Sequence, residues 1–306
     1  MIYTITVNPS LDYVLSLENW EEGQINRTTN YRYLAGGKGI NVSQMLNELH
    51  VDNTVWGFVG GFTGKEIVRQ LNRKHIVNDM VTISDTSRIN IKMNIGRTEN
   101  AETEINTAGP KINEQEIAAF KVRFSDLQPG DLVVMSGSLA ANLPVTFYQD
   151  LLPLVKNAGA EFVVDTTGVS LTSTLEYQPF LIKPNKHELA EIFASDFSSE
   201  EEMLADAQKL QEMGAQNVML SLGAKGGYLL APEHIYFANS ALGVVVNPVG
   251  AGDAMLAGFI SQDKGNAKEA FRWAMACGGA TAFTTDIAVK SQVDVALKQI
   301  QIKLIS

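Results

Sequence analysis

The segment VVVNPVGAGDAMLAGF, residues 244–259, holds the side chain best placed to do chemistry. A β-branched apolar run stops at Asn247-Pro248. A glycine turn follows, and Asp253 then opens a run of small apolar residues that reads as a helix. A glycine turn at a helix start gathers unpaired backbone N–H groups, and these stabilise anionic charge. A carboxylate beside such donors cannot share one spot with an anion. It can accept a proton from a hydroxyl that attacks the anion. A cradle for charge and a base for the nucleophile are what phosphoryl transfer requires. By spacing alone, Asp253 equally suits the positive end of a helix dipole.

A second glycine-rich stretch, AGGKGINVSQMLNEL at 35–49, sets Gly36, Gly37 and Gly39 before an amphipathic helical pattern, with Lys38 among them. Backbone donors plus an ammonium make an anion site. A plain glycine turn with a solvated lysine fits the same letters. In KPNKHE, Asn185 and Glu188 have the spacing of a capping box. Two familiar phosphate motifs fail. VGGFTGKE has Val59 where a Walker A loop needs its first glycine and Glu66 after the lysine; GAGDAM has Met255 at the third glycine of a dinucleotide fingerprint. A nicotinamide oxidoreductase is therefore not expected. The four histidines (His50, His75, His187 and His234) show no metal-ligand spacing.

Composition sets wider bounds. The chain has 306 residues, 45% hydrophobic and 19% charged, which suits one large α/β domain. A net charge of -10 argues against nucleic acid or an anionic membrane as partner. The lone cysteine, Cys277, forbids an intramolecular disulfide and fits a reducing, cytoplasmic setting. The opening MIYTITVNPSLD has no basic n-region or long apolar core. Residues 241–260 come nearest to a membrane span, but Asn247, Pro248, Asp253 and four glycines interrupt them.

These side chains need a frame to hold them. Unbroken apolar runs at 2–7, 54–60, 131–137, 161–165, 180–184 and 217–221 read as strands buried on both faces. Helical patterns at 38–49, 64–74, 113–124, 144–157, 199–213 and 266–284 alternate with them, which predicts a mostly parallel sheet between two helical layers. INIKMNI at 89–95 alternates strictly, and TEINT at 103–107 follows without a helix, so antiparallel strands with one buried face are expected there. Residues 11–34 read as irregular strand and loop. Insertions at roughly 11–34 and 87–108 would then form a small accessory sheet on a single 1–306 unit. The apolar face near 89–107 is too small to form a core alone, so a two-fold partner is expected to cover it.

The glycine stretches, together with TVNPSLD, SRINIKM, ETEINTAGP, VMSGSL, LIKPNKHEL and SLGAKGG in this order, resemble the ribokinase-like sugar kinases of the phosphofructokinase B branch across nearly the whole chain. SRINIK, TEIN and GFTG resemble the 1-phosphofructokinase subgroup, with tagatose-6-phosphate kinase its near neighbour. The resemblance implies a three-layer α/β/α sandwich with a small β-sheet lid. It implies ATP and Mg²⁺, with room for a monovalent cation. It implies transfer of a phosphoryl group to a ketohexose phosphate, foremost D-fructose 1-phosphate giving fructose 1,6-bisphosphate. A sugar-phosphate sensor without catalysis would lack the acid at 253.

The implied roles follow the motifs. Asp253 is the base, and Gly250, Ala251 and Gly252 form the anion hole. Asp12 holds sugar hydroxyls, though by spacing it is a surface turn residue. Gly37, Lys38 and Asn41 form the sugar loop, with Lys38 toward the substrate's phosphate. Arg27 and Arg88 are further phosphate ligands, and Ser138 a further sugar contact. Lys183, Asn185, Ser221, Gly223 and Gly226 serve ATP, with Asn185 and Glu188 holding Mg²⁺ through water. The adenine pocket is expected between the Ser221–Gly226 turn and the helix near 275–282.

Overall fold

Apolar runs without alternation need cover on both sides, and the chain meets that need with one sheet between two helical layers. The computed structural model describes residues 1–96 and 102–306. The chain opens with β1 (Ile2–Thr6), β2 (Ser10–Leu17), β3 (Asn30–Gly36), α1 (Lys38–Glu48), β4 (Asn53–Gly60), α2 (Gly61–Arg73), β5 (Asn78–Ile83), β6 (Arg88–Ile95) and β7 (Glu102–Ile105). Its middle runs α3 (Glu114–Val122), β8 (Leu132–Ser136), α4 (Phe147–Asn157), β9 (Glu161–Asp165), α5 (Gly168–Thr172), β10 (Leu181–Ile182), α6 (Lys186–Phe193) and α7 (Glu200–Glu212). It ends with β11 (Val218–Ser221), β12 (Gly227–Leu230), β13 (Ile235–Ala238), α8 (Ala251–Ile260), α9 (Ala267–Ala282), α10 (Lys290–Leu297) and β14 (Ile302–Leu304).

The large sheet has the order β14-β13-β12-β11-β10-β9-β8-β1-β4-β5. From β11 to β5 every pairing is parallel; β12, β13 and β14 add antiparallel strands at one edge. Successive residues of one strand feed opposite cores. Val133 and Met135 join Phe120, Tyr148, Leu151 and Leu210 on one face, while Leu132 and Val134 join Met45, Leu256, Phe271 and Val293 on the other. Such double coverage is why these strands lack polar alternation.

The second sheet has the order β3-β2-β6-β7. Residues 11–34, read as irregular strand and loop, hold most of two strands joined by a loop, and these are more regular than expected, pairing from Ser10↔Gly36 to Ser16↔Asn30. Polar letters hid their regularity, because one face of this sheet is lined by polar side chains. β6 and β7 pair antiparallel, as their alternation predicts, but β2 and β6 run parallel. Residues 97–101 of the 87–108 insertion lie outside the described residues. α2 wedges between the sheets, its Ile67 and Leu71 packing with Leu11, Ala35 and Ile89 of the small sheet. No helix among the described residues is long and apolar enough to cross a membrane.

Candidate active site

The carboxyl ends of parallel strands share one edge, where loops leave the sheet and ligands bind in open α/β folds. Here that edge carries Thr6 at the end of β1, Ser136 at the end of β8 with Gly137 after it, Asp165 at the end of β9, Lys183 after β10 and Ser221 at the end of β11. The polar face of the small sheet stands opposite. Between them lies a cleft of about 710 Å³ whose lining includes Asp12, Lys38, Asn41, Arg88, Lys183 and Asp253. The small sheet is thus a lid over the cleft.

Asp253 sits in the first turn of α8 and is buried. Its Oδ2 accepts a hydrogen bond from Asn41 Nδ2 at 2.8 Å, which ties α8 to α1. Burial pushes its carboxyl up to about 6; the nearby Asp165 adds to the rise, and Lys38, Asn41 and Lys183 oppose it. A carboxylate with its pKa near 6 is charged at neutral pH yet still basic enough to take a proton.

The turn before Asp253 is built for charge. Gly250 caps α8 at φ +79, a left-handed conformation that favours glycine. A Cβ on Gly252 would stand 3.0 Å from Lys183 Nζ, so an ammonium lies directly over the turn. The anion hole differs from expectation at one position. The Ala251 N–H donates to the Pro248 carbonyl at 3.2 Å, and Ala251 does not line the cleft. The turn donors left for an anion are those of Gly250, Gly252 and Asp253.

Two lysines meet at one buried acid that the sequence reading missed. Lys38 Nζ lies 3.0 Å from Asp165 Oδ1, and Lys183 Nζ lies 3.4 Å from Asp165 Oδ2. Burial alone would raise the Asp165 carboxyl, but Lys183 and Lys38 bring it below its ordinary value. Burial disfavours the Lys38 ammonium, and Asp165 and Asp253 outweigh that, so its pKa rises. Lys38 is therefore held by Asp165 within reach of the charge on Asp253. Asp165 had one signal in the sequence: an acid closing the apolar run EFVVD.

The lid supplies Asp12, which is buried within a sheet rather than on a surface turn. Its Oδ1 accepts from Ser10 Oγ at 2.5 Å and from Asn90 Nδ2 at 3.3 Å. Lys92, a charged residue hidden in the INIKMNI alternation, approaches Asp12 Oδ2 at 3.2 Å. Arg88 donates to the Thr107 carbonyl at 2.9 Å and reaches Ser138 Oγ at 3.5 Å. Gly37 lines the cleft beside Lys38. Arg27 does not line it; the loop that bears it is exposed. The β2–β3 hairpin has its Ser10 end at the cleft, and six residues at about 3.3 Å each carry its other end about 20 Å away.

Asn185 and Glu188 form a reciprocal cap on α6: Asn185 Oδ1 accepts from the Glu188 N–H at 2.9 Å, and Glu188 Oε2 accepts from the Asn185 N–H at 2.8 Å. Both residues line the cleft, and Glu188 Oε1 takes no part in the cap. A carboxylate with one free oxygen fits a metal held through water. Among the described residues no three histidine, cysteine or acidic side chains gather as a metal cluster. Ser221 bridges to Asn185 and joins the cleft to an adjoining cavity of about 520 Å³ along Gly223. Gly226 lines neither space. Its φ is +99 and a Cβ would stand 2.0 Å from the Ala238 carbonyl oxygen, so backbone geometry alone demands glycine. On the α9 side of the expected adenine pocket, Gly278 packs against Met255 and Gly279 against Ala241.

A profile of the pfkB family carbohydrate kinases matches residues 4–290. Over 304 residues the chain is 39% identical to 1-phosphofructokinase of Bacillus subtilis, covering 99% of both chains. It is 37% identical over 305 residues to D-tagatose-1-phosphate kinase of Bacillus licheniformis, again covering 99% of each. A crystal structure described as a putative phosphofructokinase from Staphylococcus aureus superposes with a TM-score of 0.86 at 35% identity, covering 100% of this chain and 99% of that one. With Asp253 on its glycine turn, Asn41 holding it and the lid across the cleft, the chain belongs to the pfkB family of carbohydrate kinases, on a ribokinase-like fold.

Proposed function

We propose that the protein transfers the terminal phosphoryl group of ATP to the C6 hydroxyl of D-fructose 1-phosphate. The observation that carries this reading is the placement of Asp253: buried, oriented by Asn41, and set on a donor turn under the Lys183 ammonium. The Asp253 carboxylate takes the proton as the O6–P bond forms and the bond from phosphorus to the bridging oxygen breaks, releasing ADP. The Gly252 and Asp253 N–H groups, Lys38 and Lys183 stabilise charge on the transferring group. Asp12 and Asn41 orient the sugar. Asn185, Glu188, Ser221 and Gly223 line the path of the nucleotide phosphates. Bound Mg²⁺ supplies neutralising charge there, with Glu188 holding it through water. The exposed Leu242, Val244 and Val246, on the loop whose Val246 N–H bonds the Ala282 carbonyl, offer an apolar face for the purine.

The relatives' names change the competing substrate from tagatose 6-phosphate to D-tagatose 1-phosphate, the C4 epimer of fructose 1-phosphate. Both carry phosphate on C1 and a free C6 hydroxyl, so only ring hydroxyls distinguish them. A misdirected hydroxyl that leaves a buried polar group unpaired costs about 1–3 kcal/mol. ADP release should be followed with fructose 1-phosphate, tagatose 1-phosphate and tagatose 6-phosphate. Fructose 1-phosphate is expected to lead by at least about tenfold in kcat/KM; equal or reversed efficiencies overturn the substrate assignment and leave the transfer chemistry standing. The same reading makes the enzyme a cytoplasmic homodimer, with a second copy covering the outer face of the lid.

A further inference from the structure

Lys92 has no part in the transfer step, and its surroundings point to a separate task. The inner face of β6 presents Arg88, Asn90 and Lys92 at the two-residue period of a strand, and all three line the cleft. The Lys92 side chain is only 10% exposed. Besides Asp12 at 3.2 Å, its ammonium has a second, looser partner: Glu104 Oε1 at 3.7 Å. Glu104 faces Lys92 directly across the β6–β7 pair, and its carboxylate is 36% exposed. Asp12 does not depend on Glu104, since Ser10 and Asn90 already fix its other oxygen. Four residues along, Arg88 Nε is buried without a partner.

Lys92 faces two carboxylates where a buried cation needs only one partner. With Arg88 counted, two cations and two carboxylates leave the inner face of β6 neutral while Glu104 stays, so a sugar phosphate meets no net positive charge there. With Glu104 turned to solvent, Arg88 and Lys92 outnumber Asp12, and the inner face of β6 becomes positive. The cleft's other two cations, Lys38 and Lys183, are held by Asp165 beside the base. Building on the sugar-phosphate kinase reading, we propose that Lys92 is a specificity-determining residue for the phosphate already on the sugar, with Glu104 as the counter-ion that this phosphate displaces. The phosphate sits over Asn90, taking one contact from Lys92 and one from the free Arg88 Nε–H.

The test compares D-fructose 1-phosphate with D-fructose at saturating ATP, using inorganic phosphate as a competitor. Lys92→Met should raise KM for fructose 1-phosphate roughly ten- to a hundredfold, the scale of a lost charge-assisted contact. The loss for fructose should stay within about threefold, and Lys92→Arg should recover most of the affinity. Glu104→Gln should lower both the KM for fructose 1-phosphate and the Ki of inorganic phosphate, most clearly at low salt. If Lys92 only positions Asp12, Lys92→Met will harm both sugars alike and Glu104→Gln will change nothing; that result overturns the proposal. Should Lys92→Met fail to fold, the exposed Glu104→Gln decides, and an unchanged phosphate Ki refutes. A wild-type protein inactive on every ketohexose phosphate would refute the kinase reading instead. Calorimetric titration of inorganic phosphate into wild type and Lys92→Arg would then decide the phosphate site alone, with no binding to either counting against it.

Discussion

At Asp253 two influences decide when the side chain can act as a base. Burial and Asp165 raise its pKa to about 6, while Lys38, Asn41 and Lys183 hold it from rising further. The protonated acid cannot accept a proton, so kcat/KM should fall about tenfold per pH unit below about 6 in a pH–rate profile. The sign for stability is opposite. Between the unfolded value near 4 and about 6 the folded chain binds the extra proton, so stability falls as pH rises through that window. Asp253→Asn should therefore lose at least about 10² in kcat while melting no lower than wild type at pH 8; near-normal turnover in that folded variant would remove Asp253 from the mechanism. Lys38 gives a second test. Its ion pair beside the base predicts that Lys38→Ala lowers kcat roughly ten- to a hundredfold and shifts sugar KM less. A rise confined to sugar KM would return Lys38 to the substrate's phosphate. Asp253 and Lys38 stood out in the sequence because glycine turns flag them, and Asn41 through the family resemblance. Asp165 and Lys92 were not, because a lone charge ending or punctuating an apolar strand looks the same whether it faces solvent or a cleft.

The α6 start carries a cap and, on the proposed mechanism, would also serve the metal. Asn185 and Glu188 satisfy each other's backbone N–H groups. Glutamine at the third position keeps such a box intact. Glu188→Gln should thus leave the melting temperature nearly unchanged while raising the Mg²⁺ concentration needed for half-maximal rate. Asn185→Ala should cost about 1 kcal/mol in denaturant unfolding. Unaltered Mg²⁺ dependence in Glu188→Gln would leave the pair as a cap only. The central parallel strands were readable because burial on both faces writes an unbroken apolar run. β2 and β3 were readable only as irregular strand, since Asp12, Ser16, Asn30 and Arg32 interrupt them on the face turned to the cleft. β12 and β13 escaped because short turns rather than helix crossovers join them to β11 and to each other, and β14 because it is only three residues long.

Among the described residues, the lid carries a large apolar surface without cover. The outer face of the lid shows Tyr31, Tyr33 and Ile105, each about half exposed, around a Tyr13 ring stacked 4.8 Å from Tyr33. α2 covers only the end near Leu11 and Ala35. A contiguous apolar sheet face of this kind is normally buried by a partner, and isologous packing of two lids would do it. Light scattering should give a dimer at micromolar concentration, and Tyr33→Glu should give a monomer. A wild-type monomer, or a dimer indifferent to Tyr33→Glu, would remove the lid from the interface.

The hydrogen bond between Asn41 and Asp253 joins residues 212 positions apart. During synthesis at about 5–20 residues per second, roughly 10–40 s separate the appearance of the two. The lid strands and α1 leave the ribosome early, while the base and its glycine turn arrive close to the end. On the proposed mechanism, a chain stopped anywhere before Asp253 would carry Asp12 and Asn41 but no base, so transfer would wait on the last helices.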